Sequence, residues 1–136
     1  MGYTIAQAAQ RTGMTAYTLR YYDKEGLLPL VGRDASGNRE FQESDFEWLA
    51  TINCLKNTGM PIKDIKQYLE WVLEGVSTME KRLEVFEKQK KLLEEKMEEL
   101  QKYMDRIDHK IEYYTASIES GSMEIHNRKR IGADKH

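Results

Sequence analysis

The sequence predicts a mainly α-helical protein with a small helical head, one short β-hairpin and a single long helix of the coiled-coil type. Three observations support this prediction: two short helical patterns separated by a glycine turn, a turn-rich stretch that follows an apolar run, and an unbroken heptad pattern. They divide the chain into a head over residues 1–75, a dimerisation helix over 76–118 and a flexible polar tail over 119–136.

The first two predicted helices are short and carry strong end signals. Thr4 and Gln7 have the spacing of a capping box, and Gly13 follows where a left-handed residue ends a helix. Thr15 then suits the N-cap of a second helix over residues 16–24. Two short helices joined by a glycine-containing turn are typical of a helix-turn-helix, although a purely structural helical hairpin has the same pattern.

A β-hairpin is predicted to follow these helices. An apolar run over 27–31, followed within residues 32–41 by a turn rich in Gly, Asp, Ser and Asn and a short return, predicts this hairpin. Arg33 and Arg39 are then expected near the hairpin tip. A hairpin of this kind can hold phosphates while a helix reads the groove, so the head is predicted to be a winged helix-turn-helix.

Two further helices are predicted to close the head. Ser44 is expected to cap the third, which ends near Gly59, and Pro61 suits the start of a fourth helix that runs to about residue 74 and stops at Gly75. Their expected buried positions are Trp48, Leu49, Ile52, Leu55, Ile62, Ile65, Leu69, Val72 and Leu73.

A heptad pattern covers the second half of the chain. If residue 76 is position a, every a and d position through residue 118 is apolar except Lys90, over about six heptads. The sequence has no second helix long enough to cover this stripe, so the simplest partner is another copy of the chain. The a and d positions are Val76, Met79, Leu83, Phe86, Lys90, Leu93, Met97, Leu100, Met104, Ile107, Ile111, Tyr114 and Ile118.

Charges along this helix leave the strand orientation open. Opposite charges at the e and g positions favour parallel strands, but pairs such as Glu84 with Lys88 explain much of the pattern within one helix. The a and d side chains of the two helices would meet in a seam. Lys90 either restricts the register of this seam or extends its ammonium to solvent at the seam edge. Arg128, Lys129 and Arg130 in the tail are read as solvated rather than as a phosphate contact.

Composition narrows the function classes. The net charge is −2, and residues 1–40 carry five Lys or Arg against four Asp or Glu, so any nucleic-acid binding must depend on where single arginines lie. Mean hydropathy is −0.73 and no apolar run approaches the length of a membrane span. The start of the chain lacks signal-peptide order and there is one cysteine, so a cytoplasmic location is expected. No catalytic motif or cofactor motif is present, and an enzyme is not predicted.

Several short motifs, in this order and spacing, resemble the mercury-resistance regulator (MerR) family of bacterial transcription factors. The resemblance covers the chain to about residue 118, and a block around Cys54 and Lys56 looks like the aldehyde- and nitrosative-stress-responsive branch. The motifs are Thr18-Leu19-Arg20-Tyr21-Tyr22-Asp23, Gly26-Leu27-Leu28, Ser36-Gly37-Asn38-Arg39 and Gly59-Met60.

The resemblance implies a homodimer with antiparallel dimer helices that binds a palindromic operator in double-stranded promoter DNA. It also implies activation by distortion of the promoter until RNA polymerase engages it, a form of indirect readout. Asn38 and Phe41 depart from the family, which usually has tyrosines there, so this chain lacks the two hydroxyls for wing contacts. The DNA-binding residues it implies are Thr15, Tyr17, Arg20, Tyr21, Arg33, Arg39 and Lys56.

Cys54 is the one candidate for sensing a signal. Its thiol either reacts with a small electrophile, as the resemblance implies, or packs as a small hydrophobe. A metal site is not predicted, because three scattered histidines and one thiol do not form a ligand cluster. The competing hypothesis for the whole chain is a coiled-coil adaptor with no specific DNA target, which leaves Arg20, Arg33 and Arg39 unexplained.

Overall fold

The computed structural model describes residues 2–121, so the predicted tail and its basic cluster lie almost entirely outside the described residues. The chain separates into two units, Met1–Lys91 and Leu92–His136, and the long helix α5 contributes to both. The elements are α1 (Ile5–Thr12), α2 (Ala16–Lys24), β1 (Gly32–Arg33), β2 (Arg39–Glu40), α3 (Glu43–Asn57), α4 (Ile62–Glu74), a 3-10 turn (Val76–Thr78) and α5 (Met79–Ser120).

The predicted ends of α1 and α2 are confirmed. The Thr4 hydroxyl accepts from the Gln7 amide at 3.1 Å, and the Gln7 side chain accepts from the Thr4 amide at 2.9 Å. Gly13 has φ of 75°, the left-handed conformation that a C-cap requires. The Thr15 hydroxyl accepts from the Thr18 amide at 3.0 Å and starts α2. Each of these signals acts within a few residues, which is why the sequence alone located them.

The hairpin exists, but its first strand is not the apolar run. β1 and β2 are two residues each and pair antiparallel, with Arg33 opposite Arg39. Leu27, Leu28 and Val31 precede β1 and are all buried in the core. A turn, closed by the Val31 amide donating to the Leu28 carbonyl at 3.3 Å, lets all three face inward. A strand would have sent alternate side chains to opposite faces, so the predicted strand over 27–31 was wrong.

The start of α3 also differs from the prediction. Its N-cap is Gln42, and Ser44 lies in the first helical turn. The Asp45 carboxylate reaches back and accepts from the Gln42 amide at 2.8 Å. This contact satisfies a backbone donor at the helix start, so α3 is capped at Gln42, two residues before the predicted position, with the help of an acid in its first turn.

The head has one hydrophobic core in which all four of its helices meet. Leu19 and Tyr22 of α2 are buried in it, while Leu73 of α4 is 53% exposed against the prediction. The hydrophobic side chains that are buried in the cluster are Ala8, Leu19, Tyr22, Leu27, Leu28, Val31, Phe41, Leu49, Ile52, Leu55 and Ile65.

Aromatic side chains connect this core to the start of α5 within the first unit. Trp48 donates its indole N–H to the Leu27 carbonyl at 2.7 Å and stacks on Tyr68, with ring centroids 5.9 Å apart. Tyr68 meets Phe86 of α5 edge-to-face at 5.3 Å. Burial raises the pKa of Tyr68, because its phenolate would lose hydration there. Part of the predicted seam at Phe86 therefore packs on the head of its own chain.

The junction between α4 and α5 is closed by hydrogen bonds. Gly75 has φ of 95°, a conformation that favours glycine, and a 3-10 turn follows it. The Thr78 hydroxyl donates toward the Trp71 carbonyl, and the Arg82 guanidinium donates to the Gly75 carbonyl at 2.8 Å. The long helix thus begins at Met79 rather than at Val76.

The part of α5 in the second unit carries the heptad stripe on its surface. Between residues 92 and 121, Ser117 is the one buried side chain. Leu93 is 39% exposed, Leu100 64% and Ile111 58%, although all three are strongly apolar. The described chain contains no helix that combines the length and the hydropathy needed to cross a membrane.

Candidate nucleic-acid interface

Helix α2 has one face in the core and one face in solvent. Leu19 and Tyr22 are buried, whereas Tyr17 is 77% and Tyr21 36% exposed. Arg20 is also exposed. Because residues three and four apart lie on the same side of a helix, Tyr17, Arg20 and Tyr21 form one outward surface. Guanidinium and phenol groups on an exposed helix surface suit hydrogen bonding to base edges and phosphates.

A cleft joins the start of α2 to the end of α3. It has a volume of about 450 Å³, and Thr15, Tyr21 and Lys56 all line it. The packing of the head therefore brings Lys56 of α3 to the same cleft as Thr15 and Tyr21 of the α2 segment. The lining residues that sequence analysis missed are Thr12, Gly13, Met14, Thr18, Tyr22, Asn53 and Asn57.

Asn53 and Asn57 were detectable in principle. They lie four residues apart on α3 beside Lys56, and the Asn57 amide donates to the Asn53 side-chain oxygen at 3.1 Å. Helical spacing predicts that they share a face. Nothing in the sequence showed that this face lies against the start of α2, because that depends on how α1, α2 and α3 pack.

The wing loop is held in shape by its own hydrogen bonds. The Asp34 carboxylate accepts from the amides of Ser36 at 2.9 Å and Asn38 at 3.0 Å. The Arg33 guanidinium donates to the Gly37 carbonyl at 2.8 Å and remains exposed. Arg33 therefore presents its charge to solvent from a loop with defined geometry.

Arg39 lies opposite Arg33 but turns inward. Its side chain is 18% exposed, and its Nη2 lies 2.8 Å from the Asp23 carboxylate of α2. Its Nε donates to the same carboxylate oxygen at 3.0 Å, and its Nη1 donates to the Val31 carbonyl. Contact between Arg39 and DNA stays a prediction. In the free protein, the partners of the Arg39 guanidinium are Asp23 and Val31.

The position where the family usually has a second wing tyrosine is also part of the core here. Phe41 is fully buried, and its backbone pairs with Tyr3 through hydrogen bonds of 2.7 and 2.8 Å. A hydroxyl on this ring would enter the hydrophobic cluster and need a partner there. The departure at Phe41 therefore bears on packing at the base of the wing.

Arg11 of the head has internal partners. Its guanidinium donates to the Glu43 carboxylate at 2.6 Å and lies 4.6 Å from the centre of the Phe46 ring. The hydrogen bond from Arg11 holds the pKa of Glu43 below its ordinary value. This ion pair joins α1 to α3, so we assign Arg11 to the fold rather than to the exposed basic surface.

Cys54 is exposed on α3, immediately before the buried Leu55. Its carbonyl accepts from the Thr58 amide at 3.0 Å and from the Thr58 hydroxyl at 2.8 Å, which closes the end of the helix. Between residues 2 and 121, no group of three or more His, Cys, Asp or Glu side chains is placed to hold a metal ion.

Comparison with known proteins decides the family. The MerR HTH family regulatory protein model matches residues 3–71, and the model described as MerR, DNA binding, matches residues 46–110. The chain belongs to the MerR family. An HTH-type transcriptional regulator of Haemophilus influenzae is 47% identical to this MerR-family chain over 131 residues, which cover 96% of this chain and 97% of the relative. AdhR of Bacillus subtilis is 44% identical over 78 residues, 57% of this chain and 56% of AdhR.

Similar solved structures are also of MerR family regulators. The crystal structure of HiNmlR, described as a MerR family regulator lacking the sensor domain, bound to promoter DNA, has 48% identity and a TM-score of 0.80, covering 92% of this chain and 99% of that one. A MerR family regulator from Bacillus thuringiensis has 41% identity and a TM-score of 0.76, covering 84% and 100%. The predicted fold and resemblance are confirmed, and this MerR-family protein is a DNA-binding transcription regulator.

Proposed function

We propose that this MerR-family regulator binds a palindromic promoter operator as a homodimer and activates transcription by distorting the DNA. The observation that carries the proposal is the exposed surface of α2, with Tyr17, Arg20 and Tyr21 on one side and Leu19 and Tyr22 in the core. This arrangement fits a helix that enters the major groove while the head supports it from behind.

The proposed DNA contacts divide into contacts with base edges in the groove and contacts with the phosphate backbone. Arg20 reads base edges, because a guanidinium can form two hydrogen bonds with guanine O6 and N7. Thr15 and Lys56 hold a phosphate at the cleft, where the start of α2 and a lysine charge coincide. Arg33 holds a second phosphate from the exposed side of the wing. Arg39, the second wing arginine that the resemblance assigned to DNA, supports the base of the wing through its hydrogen bond to Asp23.

The dimer is inferred from the apolar stripe on α5. An amphipathic helix of 42 residues with exposed Leu93, Leu100 and Ile111 is stable in water when a partner helix covers those side chains. We place the dimerisation segment at 76–118, between a head over 1–75 and a tail over 119–136. Antiparallel helices follow from the family. In a parallel dimer, Arg82 would be one of the g-position charges that face the partner helix. Its guanidinium instead donates to the Gly75 carbonyl of its own chain.

Activation by DNA distortion follows from the family and from the absence of a net positive charge on the protein. With a net charge of −2, the protein has little capacity for broad electrostatic wrapping of DNA. Two heads that are fixed to one dimer can instead bend and untwist the base pairs between their half-sites. RNA polymerase then engages both promoter elements.

A selection experiment tests this function. The full-length protein is incubated with random duplexes and with the DNA that flanks its gene, and bound fragments are sequenced. We expect an inverted repeat within a promoter spacer, and transcription with purified RNA polymerase that rises when the regulator is added. A coiled-coil adaptor would recover no repeated sequence, and that outcome would exclude the proposal.

We further propose that Cys54 receives the signal. Its exposure allows attack on an aldehyde carbon, in which a C–S bond forms, the carbonyl π electrons move to oxygen, and the thiol proton ends on that oxygen. Because Cys54 lies three residues before Asn57 on α3, an adduct there would form next to a residue that lines the cleft.

Cys54→Ser should lose the transcriptional response to a small aldehyde such as methylglyoxal and keep the operator affinity of the parent. The serine hydroxyl is much less nucleophilic than a thiolate. Mass spectrometry of the treated parent protein locates the adduct, and reporter transcription measures the response. Cys54→Ala serves as the control for volume. An unchanged transcriptional response in the serine variant would show that Cys54 does not receive the signal.

A further inference from the structure

We propose that Asp23 and Arg39 form a tether that sets the angle of the wing relative to α2, and that Asp23 is a positioning residue for operator binding. This inference rests on the proposed function, since it assumes that α2 and the wing contact DNA together. It assigns a favourable role in DNA binding to an acidic side chain, and it gives Arg39 a structural partner in place of a phosphate.

All three nitrogens of the Arg39 guanidinium have partners within the protein. Nε and Nη2 bind one oxygen of the Asp23 carboxylate at 3.0 and 2.8 Å, and Nη1 donates to the Val31 carbonyl. The side chains are 18% and 28% exposed, so the pair is shielded from water more than an ordinary surface ion pair. The tether joins three segments: the end of α2, the turn before β1, and β2.

The wing itself is a stiff unit, so its attachments decide its orientation. Asp34 binds two amides of the loop, and the Arg33 guanidinium binds the Gly37 carbonyl across it. At the far end of β2, the backbone of Phe41 pairs with Tyr3. The Asp23–Arg39 contact joins β2 to the last turn of α2 through side chains. Its geometry therefore sets the distance from the exposed Arg33 charge to the exposed face of α2.

The place of Asp23 on α2 supports a role outside the helix itself. It lies in the last turn, where the carbonyl ends of the helix make a negative charge unfavourable. It also lies on the element that approaches the polyanion, so its charge alone would weaken DNA binding. A carboxylate at such a site needs a compensating partner, and Arg39 supplies it.

Asp23→Asn tests the inference through the sign of its effect. If Arg39 contacts phosphate and Asp23 merely competes for it, the variant binds DNA more tightly, since it removes a negative charge and releases a guanidinium. The tether predicts the opposite, a loss of roughly five- to tenfold in affinity for the selected operator duplex, within the range of coupled neighbours. Tighter binding overturns the proposal.

Glu25→Gln is the matched control. It removes the same charge at the same end of α2, but Glu25 faces Lys66 of α4 at 3.4 Å rather than the wing. We expect its affinity to be equal to that of the parent or slightly higher. A loss as large as that of Asp23→Asn would show that charge at this helix end, and not the tether, controls binding.

Two further measurements separate the tether from the proposed DNA contacts. In the double variant Asp23→Asn with Arg39→Ala, the affinity should match that of Arg39→Ala alone, and additive losses overturn the pairing. Without DNA, hydrogen exchange at the Asp34 and Phe41 amides should quicken in Asp23→Asn. If exchange quickens in Asp23→Asn but its operator affinity is unchanged, Asp23 has no positioning role. If Arg33→Ala also binds the operator with the affinity of the parent, the proposed phosphate contact of the wing is wrong as well.

Discussion

Leu93→Asp should convert the protein into single copies and lower operator affinity at least about 100-fold, because joining two heads typically multiplies affinity by roughly 10² to 10⁴. Leu93 is a d position of the stripe and is 39% exposed in the single chain, so the change should cost little in the folding of one copy. In the dimer the same aspartate would be buried in the seam without a partner. Sedimentation equilibrium and a gel shift on the selected operator measure the two effects.

Leu92 provides the matched control for this experiment. It is the preceding residue on the same helix and is 50% exposed, but it falls outside the a and d positions. Leu92→Asp should remain a dimer with the affinity of the parent. The heptad assignment is wrong if Leu92→Asp dissociates and Leu93→Asp does not, and the dimer proposal fails if the parent sediments as one copy with operator present.

Arg20→Ala should lose about 10- to 100-fold in affinity for the operator, since a bidentate contact to guanine is worth about 1–3 kcal/mol of discrimination. Binding to unrelated duplex DNA should change little, because a base contact contributes mainly to specificity. Arg20 is exposed on α2 and supports no core contact, so the variant should fold normally. Fluorescence anisotropy with operator and scrambled duplexes at several salt concentrations measures both affinities.

Lys24 lies one turn beyond Arg20 on α2 and is also exposed, so Lys24→Ala serves as the control variant. Lys24→Ala removes the same formal charge, so a purely electrostatic role for Arg20 predicts the same result in both variants. We expect Lys24→Ala to weaken operator and scrambled DNA by a similar small factor. Equal, non-selective losses in the two variants would remove the base-reading role from Arg20.

Features that depend on a few neighbouring residues were predictable from the sequence. The capping box of Thr4 and Gln7, the cap at Thr15 and the glycine ends at Gly13 and Gly75 all lie where the sequence indicated. Tyr17, Arg20 and Tyr21, which the family resemblance assigned to DNA, all lie on the exposed side of α2. The motif resemblance predicted the family before any contact was known.

Features that depend on distant partners were mispredicted or missed. The run at Leu27, Leu28 and Val31 has strand composition, but the core takes all three side chains and requires a turn. The helix expected from Val76 begins at Met79 because the preceding residues form a 3-10 turn. The cleft residue Asn53 was missed because its face is defined by packing against α2.

The sequence by itself determined the family, the order of the elements and the apolar stripe of α5, because each is written in local spacing or in a contiguous motif. Tertiary structure alone decided how the wing is attached. Arg33 and Arg39 are the same residue type on the same hairpin, yet one is exposed while the other binds Asp23 and Val31. The difference arises because opposed strand residues meet different surroundings once the hairpin docks on α2, and no local pattern encodes which surroundings each will meet.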